Sequence, residues 1–290
     1  MNEPVLSEKL LIIGCGDIGQ RLAQQLAPRG YDITGLRRRA CSDLPYLRYR
    51  QCDVTQAGQL APILAEGFDV IVISMTPSER SDAGYQQAYV QSCQQLIAGL
   101  KQHTHTPRLI LFVSSTAVYG QNDGSWVDET SPTQPEGFSG QRLLEAEQTL
   151  LSSGYNSCIL RFSGIYGPGR NRLIEQVISQ RASASPHYTN RIHVEDCAGV
   201  LAHLIELAKV QALEPVYLAT DSSPTPMVEV VSWIALQLGI SDFLAADAVN
   251  ERGNKRISNR RLLSTGYALR YPDFRMGYEE LLRDYPLSHK

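Results

Sequence analysis

No two cysteines of this 290-residue chain stand as Cys-x-x-Cys; the six (Cys15, Cys41, Cys52, Cys93, Cys158, Cys197) are scattered. That spacing excludes the usual zinc sites and a disulfide framework, and it predicts a reducing, cytoplasmic setting. No apolar run approaches the roughly 20 residues that a membrane span needs. Residues 1–9 lack the basic, apolar pattern of a secretory signal. Repeats, low-complexity tracts and a Pro/Gly/Ser-rich linker between independent domains are all missing. An excess of one charge is missing too. With 27 Lys and Arg against 30 Asp and Glu the net charge is −3, so neither nucleic acid nor a membrane surface is an expected partner. His103 and His105 alternate in a polar stretch without a third ligand nearby in sequence, and no metal is expected.

What is present is a globular composition, 43% hydrophobic and 20% charged, which can bury a substantial core. Residues 9–114 alternate short apolar runs with helically spaced segments. Strands are expected at 10–13, 31–36, 46–50, 68–73 and 108–113, with a helix over 84–101. Another helix starts near Ser139 and another strand near Ser157. Such alternation predicts an α/β protein with a Rossmann-type, doubly wound parallel sheet.

The first apolar run feeds Gly14-x-Gly16-x-x-Gly19, and Leu22 and Leu26 follow with helical spacing. Strand, glycine turn and helix together form the context of a dinucleotide site. Gly14 suits the tight turn, Gly16 lets a pyrophosphate approach bare backbone, and Gly19 lets helix and sheet pack closely. Asp17 and Ile18 stand at the helix N-terminus, whose unpaired N–H groups and dipole favour phosphate. A site that prefers NAD usually carries a carboxylate about 20 residues beyond the glycines. Here Arg37, Arg38 and Arg39 occupy that place, with no acid between Gly35 and Cys41. A guanidinium can clamp a 2′-phosphate that a carboxylate would repel, so NADP is expected in preference to NAD. Asp53, after the third strand, completes the expected cofactor set as a contact for the adenine edge.

From Val113-Ser114-Ser115-Thr116-Ala117-Val118-Tyr119-Gly120 onward the chain resembles the extended short-chain dehydrogenase/reductases, the group of sugar epimerases and dehydratases. Asp128-Glu129-Thr130-Ser131-Pro132, Leu160-Arg161 through Tyr166-Gly167-Pro168-Gly169, and Ile192-His193-Val194-Glu195-Asp196 match in order. Tyr217–Thr220 and a helix over 227–238 fit the family's C-terminal lobe. The resemblance implies that residues 1–165 are mainly an NADP-binding domain. Residues 166–290 are then mainly a smaller substrate lobe, with segments returning to the sheet. It also implies a dimer through the helices at 84–101 and 139–152.

In that family a Ser or Thr polarises the substrate oxygen, a Tyr exchanges its proton, and a Lys four residues on lowers the Tyr pKa and holds the nicotinamide ribose. Ser115, with Thr116 beside it, matches the first position. The Tyr and Lys positions fall on Phe138 and Arg142. Phenylalanine has no proton to give, whereas Arg142 keeps a charge that could hold the ribose or a phosphate. The family's usual Gly-x-x-Gly-x-x-Gly would place a glycine at Ile13, so the loop departs as well. Tyr119 and Tyr166 are expected to be structural, as is His193, and Glu145 and Glu147 are expected to face solvent.

Two functions fit these residues. One is an NADP-dependent oxidoreductase or epimerase-like enzyme on a small hydroxyl- or carbonyl-bearing substrate, with a degenerate Tyr/Lys pair. The other is a catalytically silent NADP(H)-binding sensor or regulator. Substrate identity would lie in loops such as 170–191 and 244–255, which carry no transferable code.

Overall fold

The computed structural model describes residues 7–240, 253–283 and 285. The described residues fall into two compact units. One takes in the chain through Val118 together with Thr133–Arg161 and Ala198–Tyr217; the other takes Tyr119–Pro132, Phe162–Cys197 and the chain from Leu218 onward.

The inner strands of the first unit are apolar without alternation, because helices cover both faces of the sheet, whereas the edge strand at Arg48–Gln51 is polar and largely exposed. β1 (Lys9–Ile13), β2 (Asp32–Arg37), β3 (Arg48–Gln51), β4 (Val70–Ile73) and β5 (Leu109–Ser115) are parallel wherever they pair in the series β3-β2-β1-β4-β5. Leu10, Leu11, Ile12, Val70, Ile71 and Val72 are completely buried. Later strands are the two-residue β6 (Trp126–Val127), then β7 (Ser157–Phe162), β8 (Gly164–Tyr166), β9 (Tyr188–Thr189), β10 (Arg191–His193), β11 (Val216–Ala219), β12 (Thr225–Pro226) and β13 (Arg256–Ile257). β7 and β11 extend the sheet to seven strands in the order β11-β7-β5-β4-β1-β2-β3. Strand order reverses between β1 and β4, and at such a point the loops after the strands open a crevice for a ligand.

Helix α1 (Asp17–Leu26) buries Ile18, Leu22, Ala23 and Leu26, one stripe at helical spacing. The short α2 (Ala61–Leu64) and α3 (Asp82–Tyr85) precede α4 (Ser92–Leu100). Between α3 and α4 the chain is π-helical over Gln86–Gln91, so the single helix expected at 84–101 is in fact three segments starting at Asp82. Helix α5 (Phe138–Leu151) buries Gly140, Leu143, Ala146, Glu147 and Leu150.

In the second unit β8 pairs with β10, β9 with β12 and β6 with β13. Its helices are α6 (Arg172–Ile178), α8 (Met227–Gln237), α9 (Arg260–Ser264) and α10 (Phe274–Arg283), while α7 (Val194–Leu207) follows directly on β10. Ile174, Val177, Val231, Ile234 and Phe274, each fully buried, centre its core. Helix α6 lies inside the stretch expected to be loop at 170–191. Of the other expected loop, residues 244–252 lie outside the described residues. Among the described residues no helix is long and apolar enough to cross a membrane.

Candidate functional site

The glycine loop connects the C-terminal end of β1 to α1, and each glycine answers to a different contact. Gly14 has φ +74°, and a Cβ there would lie 2.7 Å from the Ser74 carbonyl oxygen and 2.8 Å from Met75 Sδ. A Cβ on Gly19 would press on Ile12 Cγ2 at 2.9 Å and Cys15 Sγ at 3.0 Å, as helix and strand are that close. Gly16 is different: it is exposed, and its Cβ would meet only the Gly14 carbonyl, at 3.9 Å. Bare backbone therefore faces open space at the N-terminus of α1, a cradle that a side chain would fill and a pyrophosphate fits.

Backbone pairing draws β2 onto this loop, since Cys15 N donates to Leu36 O at 3.0 Å. Arg37 follows directly, and its Nε donates to the Cys15 carbonyl. Its guanidinium lies over the Tyr49 ring, 4.8 Å from the centroid, and Nη1 donates to Cys41 Sγ at 3.3 Å. Arg37 thus stands fixed beside the glycine loop with the rest of its fork still to offer. Arg38 is exposed, and its carbonyl accepts from Gln51 Nε2 at 3.1 Å. Asp17 pairs with Arg21 at 2.8 Å, one turn along α1, while Ile18 packs inward. Cys15 is buried within the loop, and burial pushes its thiol up to about 11; it is packing, not a nucleophile. Asp53 folds back on its own turn, accepting from Thr55 N at 3.1 Å and Thr55 Oγ1 at 2.7 Å.

A second group gathers where β5 ends and α5 begins. Ser115 Oγ accepts from Ala117 N at 3.2 Å, the turn that carries Thr116. Helix α5 approaches so closely that a Cβ on Gly140 would overlap the Ala117 carbonyl oxygen. Phe138 is 39% exposed, and its ring meets Tyr85 edge-on with centroids 5.4 Å apart. Arg142 spans Asp82 and Glu145: Nε and Nη2 reach the Asp82 oxygens at 2.7 and 2.9 Å, and Nη1 reaches Glu145 at 2.7 Å. The bond from Arg142 holds the Asp82 carboxyl below its usual range. All the candidate residues thus fall in the first unit, in two groups: one at the carboxyl ends of β1, β2 and β3, the other where β5 ends and α5 begins.

A further expectation is overturned. Glu147 does not face solvent; it is 1% exposed and takes bonds from Arg161 Nη2 at 2.6 Å and Ser114 Oγ at 2.5 Å. Glu147 lies on the same helical stripe as Gly140, Leu143 and Leu150, whereas Glu145 lies off it. Spacing alone could have placed it inward. Sequence reasoning also missed Asp82 and Tyr85, which precede a π-helical stretch that no residue pattern announces.

In the second unit Tyr119, Tyr166 and His193 are each held by neighbouring groups. Tyr119 donates to the Asp128 carbonyl at 3.0 Å, and Tyr166 stacks on Tyr278 with its hydroxyl against Gly277. His193 is wedged between Tyr166 and Tyr271, and Glu195 N donates to its Nδ1 at 3.3 Å. Asp196 accepts from Tyr267 OH at 2.9 Å, Arg270 N at 2.8 Å and Tyr271 N at 2.9 Å, fixing the segment before α10.

A parallel sheet with a glycine cradle at its switch point defines a Rossmann-type nucleotide-binding protein. Residues 10–214 match the NAD dependent epimerase/dehydratase family, and the chain belongs to that family, within the extended short-chain dehydrogenase/reductases. YeeZ of Escherichia coli K12 is 33% identical over 214 residues, covering 70% of this chain and 74% of YeeZ. A solved Methylobacillus flagellatus structure, named for an NAD-dependent epimerase/dehydratase, is 40% identical with TM-score 0.82, covering 95% of this chain and 98% of that one. The bovine epimerase family protein SDR39U1 is 23% identical over 296 residues, covering 93% of this chain and 97% of its own.

Proposed function

We propose that this protein is an NADP-dependent oxidoreductase acting on a small substrate that carries a hydroxyl or carbonyl group. The observation that carries the cofactor preference is Arg37, braced by the Cys15 carbonyl and the Tyr49 ring at the edge of the glycine loop. A side chain anchored there loses little further freedom on meeting a 2′-phosphate, and its remaining N–H groups suit bidentate binding. The glycine loop and the N-terminus of α1 hold the pyrophosphate, and Ser115 polarises the substrate oxygen. Arg142, engaged by Asp82 and Glu145, ties α3 to α5 and positions the residues around it.

Fluorescence titration tests the cofactor reading. NADPH is expected to bind about tenfold more tightly than NADH, the equivalent of one charge-assisted bond, and Arg37→Asp to reverse the order. Equal affinities, or tighter NADH, overturn it. A second reading draws on Phe138 and on the doubly paired Arg142: a silent NADP(H)-binding regulator. Tight NADPH binding without oxidation by any carbonyl compound favours that reading.

A further inference from the structure

We infer that Tyr85, on α3, is the proton donor of this site. The inference rests on the oxidoreductase reading above and assigns it a residue that the sequence leaves without a candidate. When bound, the reduced dinucleotide supplies a hydride, two electrons, to the substrate's carbonyl carbon and departs oxidised. The C=O π bond breaks toward oxygen, and that oxygen must take up a proton. The net exchange is carbonyl, reduced dinucleotide and a proton for alcohol and oxidised dinucleotide.

Among the described residues near the carboxyl end of β5, Tyr119 gives its hydroxyl proton to the Asp128 carbonyl. Phe138 has no proton to deliver. Arg142 is doubly ion-paired, and its guanidinium does not deprotonate. Ser114 gives its proton to Glu147 in the interior, and the alcohols of Ser115 and Thr116 are weak acids better suited to polarising an oxygen. Tyr89 packs edge-on against Phe112, and burial pushes its phenol up to about 12.

Tyr85 differs from all of these. It is half-exposed, on the segment that follows β4, the strand beside β5. Its ring is set on two sides, by Phe138 at 5.4 Å and Tyr89 at 5.5 Å between centroids. Phe138 opens the helix that presses on the Ala117 carbonyl, two residues after Ser115, so one chain of contacts runs from the Ser115 turn to the Tyr85 ring. Three residues before Tyr85, Asp82 receives the Arg142 fork and anchors α3 to α5. Directly after Tyr85 the backbone is π-helical through Gln91, a local irregularity that recurs at functional sites. The Tyr85 hydroxyl proton passes to the substrate oxygen, and the phenolate left behind regains a proton from water.

Two measurements test the assignment. With benzaldehyde and phenanthrenequinone as probes, Tyr85→Phe is expected to lower kcat for NADPH oxidation about a hundredfold. Its NADPH affinity by fluorescence should change less than about twofold, and adding Phe138→Tyr should restore part of the rate. Independently of activity, saturating NADP+ should slow acetylation of Tyr85 by N-acetylimidazole, read by mass spectrometry, while labelling of Tyr155 stays unchanged. Unaltered turnover in Tyr85→Phe, or no protection of Tyr85, overturns the assignment. So does a parent protein that binds NADPH and reduces neither probe, an outcome that leaves the cofactor reading standing. Failure to bind NADPH at all removes the oxidoreductase reading itself.

Discussion

The two units each bury an arginine and a carboxylate, and they treat them in opposite ways. In the first unit Arg161 reaches both oxygens of Glu147 with three bonds, at 3.0, 3.2 and 2.6 Å, and Ser114 adds a fourth. In the second, Arg191 is 5% exposed and Asp221 1%, and each is only partly satisfied: Arg191 Nη2 donates to Thr189 Oγ1 at 2.7 Å, and Asp221 Oδ1 accepts from Ser223 N at 3.1 Å. Arg191 Nη1, Asp221 Oδ2 and the Tyr166 hydroxyl are buried without a protein partner among the described residues. Burial pushes the Asp221 carboxyl up to about 7, against the opposing pull of Arg191. In an interior, proximity of opposite charges decides little by itself; the fit of bonds to each polar atom decides what a buried charge costs.

That contrast can be broken most sharply at the satisfied pair. Glu147→Ala removes the carboxylate that faces the buried Arg161 guanidinium, and is expected to destabilise by about 3–5 kcal/mol in urea unfolding. Glu147→Leu combined with Arg161→Met should recover most of that loss, since no buried charge then remains. At the unsatisfied site the sign reverses. Asp221→Asn should raise stability by roughly 1–3 kcal/mol at pH 8, because a buried carboxylate is no longer required.

The pH dependence sharpens the same point. Folding raises the Asp221 pKa from 3.8 to about 7, so across that window the native carboxyl holds a proton that the unfolded chain has released. Its contribution to stability is present in acid and is lost as pH rises from about 4 to about 7. Thermal melts of parent and Asp221→Asn should therefore converge at low pH and separate toward neutrality. The smallest effect is expected from Tyr166→Phe, within about 1 kcal/mol of the parent, because its hydroxyl has no protein partner to lose.

The strands and the glycine cradle were legible in the sequence because each depends on local features: continuous apolar runs, and glycines whose spacing sets a turn. The place of Arg37 was legible for the same reason, since it ends β2, a strand paired to β1. What escaped reading depends on distant partners. Glu147 looks solvated until Arg161 and Ser114, 14 and 33 residues away, are brought to it. The pairing of Arg142 with Asp82, 60 residues back, is likewise announced by no local pattern. Tyr85 had no reason to be singled out before its ring met Phe138.

The π-helical segment Gln86–Gln91 bears on how the site could have changed with time. A helix turns by about 100° per residue, so one residue more or less between Tyr85 and α4 swings Tyr85 around the axis while α4 keeps its packing. Such a stretch works as a phase adjuster, letting one end of a helix be re-aimed while the other stays in register. A phenol could thereby be brought against Phe138 without disturbing the core beneath Cys93, Leu96 and Leu100.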